Sequence, residues 1–267
     1  MKTMMVIAGT KDAREVVKLL LKHQWPVLAT VTTAYGRELL PSQPGLQIRE
    51  GKLTESEMKN LILEKGIGCV IDASHPYAEA VSQNAISACQ RTATAYLRFE
   101  RQTSSCRESG EVFRVNSFEE AADLAAGLEG NIFLAIGTNH LTTFTDRLGE
   151  NRHRIYARVL PDSRMVGRCE EAGLTAGNIF ALKGPFSEAL NLEMMKHCQA
   201  GVVVTKESGE SGGTAEKIQA AAKMGIPVIL VERPEVFYPQ KVSTLREVEA
   251  FLEEINGKNK SGKQEGR

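Results

Sequence analysis

Apolar residues in this chain fall into short unbroken runs, separated by longer stretches in which they recur every three or four positions. The runs predict strands buried on both faces of a parallel sheet, and the recurrences predict amphipathic helices. The first run, residues 4–8, predicts a strand. Residues 12–23 predict a helix, with Val16, Val17, Leu19, Leu20 and Leu21 beside charged Arg14, Glu15, Lys18 and Lys22. Strands are then expected at 27–32, more weakly at 46–49, at 69–73 and near 94–98, with helices at 56–64 and 77–90. Pro76 is expected in the first turn of the latter helix, where its missing N–H has no helical partner to lose.

Residues 102–110 are polar and read as a linker. A second series follows, with strands at 112–115, 132–136, 154–159, 179–182, 202–205 and 227–231. Its helices are expected at 118–127, 187–197, 214–224 and near 245–254. From Asn256 the chain is rich in Gly, Lys and Asn, so a disordered tail is expected over 256–267. Alternating strands and helices imply an α/β protein. It is read as two Rossmann-like parallel-sheet domains, residues 1–102 and 111–255, with a cleft between them.

Thirty-three Lys and Arg balance thirty-three Asp and Glu, so no overall field draws the chain to nucleic acid or to anionic lipid. The five cysteines are widely spaced, with neither a CxxC pair nor a zinc-like Cys/His cluster. They read as reduced thiols in a cytoplasmic protein, and no metal site is expected. The amino terminus leads into a strand and helix rather than a cleavage site, and no apolar stretch is long enough for a membrane span.

In parallel sheets ligands collect beyond the carboxyl ends of the strands, where the amides of the next helix are free. Five turns carry suitable groups. Gly9-Thr10-Lys11-Asp12-Ala13-Arg14 offers backbone and Arg14 to a phosphate or carboxylate, or else Gly9 is a turn residue and Asp12 a helix cap. Asp72-Ala73-Ser74-His75-Pro76-Tyr77 gathers titratable groups at a strand end. A hydrolase elbow is excluded there because GxSxG is absent. Arg98-Phe99-Glu100-Arg101 offers two guanidinium groups to carboxylates and Phe99 to a flat ring, or a surface ion pair with Glu100. Gly137 and Thr138 repeat the glycine and hydroxyl of the first turn. The richest turn runs from Lys206 through Ser208, Gly209, Ser211, Gly212 and Gly213 into the helix bearing Lys217. It is not a Walker A loop, which requires GxxxxGK followed by Ser or Thr.

These turns belong to words that run along most of the chain: AGTKDAREVVKLL, IDASHPYAEAVSQNA, YLRFER, AIGTNHL, ALKGPF and TKESGESGGTAEKIQAA. In them the sequence resembles the precorrin-6A reductase family, in particular its cobalt-precorrin-6A branch. The resemblance implies two Rossmann-like lobes, NADPH or NADH as cofactor, and reduction of the C18/C19 double bond of a tetrapyrrole-derived ring in cobalamin biosynthesis. Gly9, Thr10, Arg14, Gly137, Thr138 and the 208–213 loop are then expected to hold the cofactor. His75, Ser74, Tyr77 and Lys206 are expected at the chemistry, His75 as proton source. Asp72, Arg98, Arg101, Lys183 and Lys217 are expected to meet the ring and its carboxylates. Two other readings stand beside it: an adenosylmethionine-dependent methyltransferase of the same pathway, for which GTKDAR is a poor loop, and a non-catalytic nucleotide-binding α/β module.

Overall fold

The computed structural model describes residues 2–101, 110–208 and 213–261, with side chains as far as 255. It contains two six-stranded sheets, and every strand pair in both is parallel. The chain divides into two compact units, Met1–Gln102 with Glu235–Arg267, and Thr103–Pro234.

The first unit runs β1 (Thr3–Ile7), α1 (Lys11–Lys22), β2 (Val27–Val31), α2 (Ala34–Glu38), β3 (Leu46–Glu50), α3 (Glu55–Glu64), β4 (Ile67–Asp72), α4 (Glu79–Thr92) and β5 (Ala95–Phe99). Successive strand residues point to opposite faces, so TMMVI feeds two cores at once. Met4 and Val6 pack with Val16, Val17 and Leu20 of α1. Met5 and Ile7 pack with Met58, Leu61 and Ile62 of α3 and with Ala85 and Ala88 of α4.

The second unit runs β6 (Val112–Val115), α5 (Phe118–Gly127), β7 (Asn131–Leu134), α6 (Leu141–Leu148), β8 (Ile155–Val159), α7 (Ser163–Glu171), β9 (Ile179–Ala181), α8 (Glu188–His197), β10 (Ala200–Lys206), α9 (Thr214–Met224) and β11 (Val228–Val231). Phe133, Val203, Val228 and Leu230 form a core with α8 and α9. The chain then returns to the first sheet as β12 (Lys241–Val242), followed by α10 (Leu245–Ser261).

Across the first sheet the order is β3-β2-β1-β4-β5-β12, and across the second β9-β8-β7-β10-β11-β6. Counted from β7, the second order repeats the first, except that its sixth place is filled by a strand from the start of the unit rather than from the end. In both, the direction of winding reverses between the first and fourth strands, at β1/β4 and at β7/β10.

Several boundaries differ from expectation for local reasons. Pro76 and Tyr77 form a turn closed by the Ala78 N–H donating to the His75 carbonyl at 2.8 Å, so α4 starts at Glu79 rather than at residue 77. The helices α2, α6 and α7, five, eight and nine residues long, were not among the expected elements because each spans less than three turns. The second domain was expected to reach residue 255, but 235–255 belongs to the first unit, because Val242 pairs with Phe99 across the sheet edge and Val248 and Leu252 enter the core under α1. Glu247 caps α10 together with Thr244, accepting from the Thr244 N–H at 2.8 Å while its own N–H donates to the Thr244 hydroxyl at 3.2 Å. Once nucleated there, the helix extends to Ser261 through residues expected to be disordered. The remainder of that tail, 262–267, and most of the expected linker, 102–109, lie outside the described residues.

Leu252→Ala should therefore destabilise the first unit by about 2–5 kcal/mol, although it lies far along the sequence from β1. Urea unfolding followed by circular dichroism checks this, and a loss near zero would detach α10 from that core.

Candidate functional site

The first reversal is framed by the turns after β1 and β4. Gly9 adopts φ +127° with no heavy atom within 4 Å of the place a Cβ would take, which leaves the backbone open to close approach. Thr10, not Asp12, caps α1: its hydroxyl accepts from the Ala13 N–H at 2.9 Å and donates to the Ala73 carbonyl at 2.8 Å. One side chain thus finishes the helix and ties the two turns together. Arg14 donates to the Thr10 carbonyl at 3.3 Å. Asp12, in the first turn, pairs instead with half-exposed Arg101 at 3.1 Å.

Beneath the second turn lies a buried polar network. Asp72, with no exposed surface, accepts from the Ser74 N–H at 3.0 Å, the Ser82 hydroxyl at 2.6 Å, the Tyr96 hydroxyl at 2.8 Å and Arg98 Nη1 at 3.0 Å. Arg98 is equally buried. It also donates to Ser74 Oγ at 3.1 Å and forks onto Glu100 through Nε at 3.1 Å and Nη2 at 2.9 Å, above the Tyr238 ring. Burial works against the Arg98 charge, but Asp72, Tyr238 and Glu100 together outweigh it and hold its pKa high. Burial likewise pushes the Glu100 carboxyl up, and Arg98 and Lys241 more than cancel this, leaving it below the ordinary range.

This geometry corrects three expectations. Asp72 and Arg98 are positioning residues that hold the Ser74 turn, because neither has surface left for a substrate carboxylate. Phe99 is a core residue rather than a platform for a ring. The Arg98–Glu100 pair is buried, not superficial. Ser74 is itself buried, at 8% exposure, with His75 and Tyr77 half-buried after it. The Tyr77 N–H donates to His75 Nδ1 at 3.3 Å, so the neutral ring carries its proton on Nε2.

The second reversal is framed by the turns after β7 and β10. Gly137 has φ +79° and open space where a Cβ would stand. The Thr138 hydroxyl is engaged with Met165 and Arg168, so this turn offers amides rather than hydroxyls. Lys206 ends β10, and its carbonyl accepts from Ser208 Oγ and from Thr214 Oγ1, each at 3.4 Å. Gly213, at φ +64°, leads into α9. Gly209, Ser211 and Gly212 lie outside the described residues.

Lys217 is buried in the first turn of α9, and its pKa is lowered to about 7, first by burial and then by Arg158 and Lys206. Burial also lowers Lys206. Arg158, on β8, was missed in the sequence because a lone Arg within IYARV reads as the exposed position of an alternating strand. Lys183 is exposed beyond the edge strand β9, three strand spacings or about 14 Å from β10, and does not join this turn. Among the described residues no group of three His, Cys, Asp or Glu could hold a metal ion, and no helix is long and apolar enough to cross a membrane.

A family model described as precorrin-6x reductase CbiJ/CobK matches residues 3–254. The cobalt-precorrin-6A reductase of Methanothermobacter thermautotrophicus is 38% identical over 236 residues, 88% of this chain and 77% of its own length. That of Priestia megaterium is 36% identical over 245 residues, 91% of this chain and 95% of its own. A solved structure of CobK precorrin-6A reductase is similar with a TM-score of 0.77 at 26% identity, covering 96% of this chain and 98% of that one.

Arg98→Met should cost about 3–5 kcal/mol by leaving Asp72 and Glu100 buried without their partner. The pH dependence has a definite sign. Glu100, depressed in the folded state, contributes stability at neutral pH that is lost as pH falls through its folded pKa. Without Arg98, burial raises that pKa, so the acid-side loss should begin at higher pH. Urea titrations from about pH 7 to about pH 4 read the difference, and parallel profiles for both proteins would refute the assignment.

Proposed function

The chain belongs to the precorrin-6x reductase CbiJ/CobK family, and from that premise we propose that it reduces cobalt-precorrin-6A to cobalt-precorrin-6B in cobalamin biosynthesis, oxidising NADPH or NADH. A hydride and a proton add across the C18/C19 double bond of the ring. The observation that carries the reading is the coincidence of motif and topology: in each unit the motif-bearing turns follow the two strands that flank the reversal of winding, Gly9 and the Ser74–Tyr77 cluster in the first, Gly137 and the turn ending at Gly213 in the second.

The cradles suit a dinucleotide. Gly9 and Gly137 are open where any side chain would obstruct, and the buried Thr205 hydroxyl at the end of β10 lacks a hydrogen-bond partner among the described residues. When bound, the reduced nicotinamide supplies the hydride. Each unit offers its own set of donors: the amides at Gly9 and Thr10, with Arg14, in the first, and those at Gly137, Thr138 and Gly213 in the second, would donate to phosphate oxygens and ribose hydroxyls. Thr10 and Thr138 act through their backbones, since their hydroxyls are engaged elsewhere. Each unit offers a cation to the acetate and propionate carboxylates of the ring, Arg101 in the first and Lys206 in the second.

His75 delivers the proton as the imidazolium, and the neutral ring that remains accepts the Tyr77 amide at Nδ1. Ser74 is kept beside it by Arg98 and Asp72.

Mixing the protein with cobalt-precorrin-6A and NADPH or NADH should bleach the nicotinamide absorbance in step with a change in the macrocycle spectrum. Oxidation of neither cofactor would defeat the reading. His75→Ala should lower kcat by about 10²-fold while the dinucleotide KM stays put, and undiminished turnover would remove His75 from proton delivery.

A further inference from the structure

The strand register of the second unit brings a charged and a hydroxyl side chain to one level on one face. Ala157 of β8 and Val204 of β10 both pair with Leu134 of the intervening β7. The next residues, Arg158 and Thr205, therefore stand level, two strand spacings or about 10 Å apart. By alternation both point to the face of Phe133 and Val203, which α8 and α9 cover. Arg158 confirms this, since its guanidinium lies over the rings of Phe133 at 5.4 Å and Phe186 at 4.4 Å. Lys217 belongs to the buried side of α9 over the same face.

This assembly is costly as it stands. Arg158 Nη1 donates to the neutral Asn191 Oδ1 at 2.7 Å, and burial lowers its pKa to about 10. Lys217 feels Arg158 and Lys206 as repulsive charges, while Glu216 of α9 and Glu207 after β10 pull the other way. Thr205 is fully buried, with its hydroxyl lacking a partner among the described residues. A buried hydroxyl without a hydrogen bond destabilises the fold, and so do like charges brought together out of water. All three penalties are relieved by one kind of group, an oxyanion that accepts from the guanidinium, the ammonium and the hydroxyl together.

We propose that Arg158, Thr205 and Lys217 form a buried oxyanion subsite in the second unit, beside the β7/β10 reversal, that takes a phosphate or a carboxylate group. The subsite deepens the reductase reading and rests on it for the two physiological sources of that group, a dinucleotide phosphate or a carboxylate of the tetrapyrrole-derived ring. An anion seated there favours the charged form of Lys217, so binding above neutral pH takes up a proton.

The full chain is titrated calorimetrically at about pH 8, above the lowered Lys217 pKa, in buffers of different ionisation enthalpy. The probes are inorganic pyrophosphate, NADPH, NADH and cobalt-precorrin-6A. Pyrophosphate should bind the native protein with net proton uptake, and Arg158→Gln should weaken it by roughly tenfold or more. Thr205→Val separates a ligand-binding role from a structural one. Losing an unsatisfied buried hydroxyl should leave the ligand-free melting temperature unchanged or raised, while affinity for the anion falls severalfold.

Weakening confined to the dinucleotides assigns the subsite to phosphate, and weakening confined to cobalt-precorrin-6A assigns it to a ring carboxylate. Pyrophosphate binding without proton uptake, or variants that bind every probe within about twofold of the native protein, would overturn the subsite. The pyrophosphate titration needs no turnover, so a protein that binds it as described yet fails to reduce cobalt-precorrin-6A would sink the reductase reading alone.

Discussion

A parallel sheet can leave an opening at its carboxyl edge only where consecutive connections depart to opposite faces, and the motif-bearing turns of both sheets follow the strands at such a place. In the first sheet α1 leaves β1 on one face and α4 leaves β4 on the other, as their separate cores show. The turns between them cannot be covered by either helix. The second sheet reaches the same order by another route, borrowing its edge strand β6 from the beginning of the unit. Because the reversal survives that rearrangement, the glycine turns keep their place.

The two units then balance charge in opposite ways. Around Asp72 and Arg98 every donor meets an acceptor, and the result is a rigid base for Ser74 and His75. Such a network is worth more as a specification of geometry than as net stability, since the desolvation of both charges offsets much of their attraction. Around Lys217, burial and two neighbouring cations depress the charge, against the pull of Glu216 and Glu207. Buried ion pairs of the first kind set a turn in place, whereas cationic clusters of the second kind mark where an anion belongs.

Much of this was legible in the residues. Residues 4–8 read as a doubly buried strand and 69–73 as a strong one because parallel sheets demand continuous apolar runs, and the turns that follow them stand out from the strand ends alone. Strand order was not legible, since pairing depends on contacts remote in sequence. For the same reason β12, two residues long, gave no sign that the chain returns to its first sheet. Arg98 shows a different limit: two arginines around Phe99 look like carboxylate grips until burial shows one of them enclosed with Asp72 and Glu100. Arg158 was hidden by the converse error, a charge on an alternating strand that turned out to face inward.

The central claim is that ligand contacts concentrate at the turns flanking the two reversals. Hydrogen–deuterium exchange with and without saturating NADPH tests it most directly. Slowed exchange at the amides of residues 9–13 or 137–141, with the amino-terminal ends of the same strands unaffected, is the expected result. Protection at those amino-terminal ends, with both glycine turns exchanging as fast as in the ligand-free protein, would contradict it.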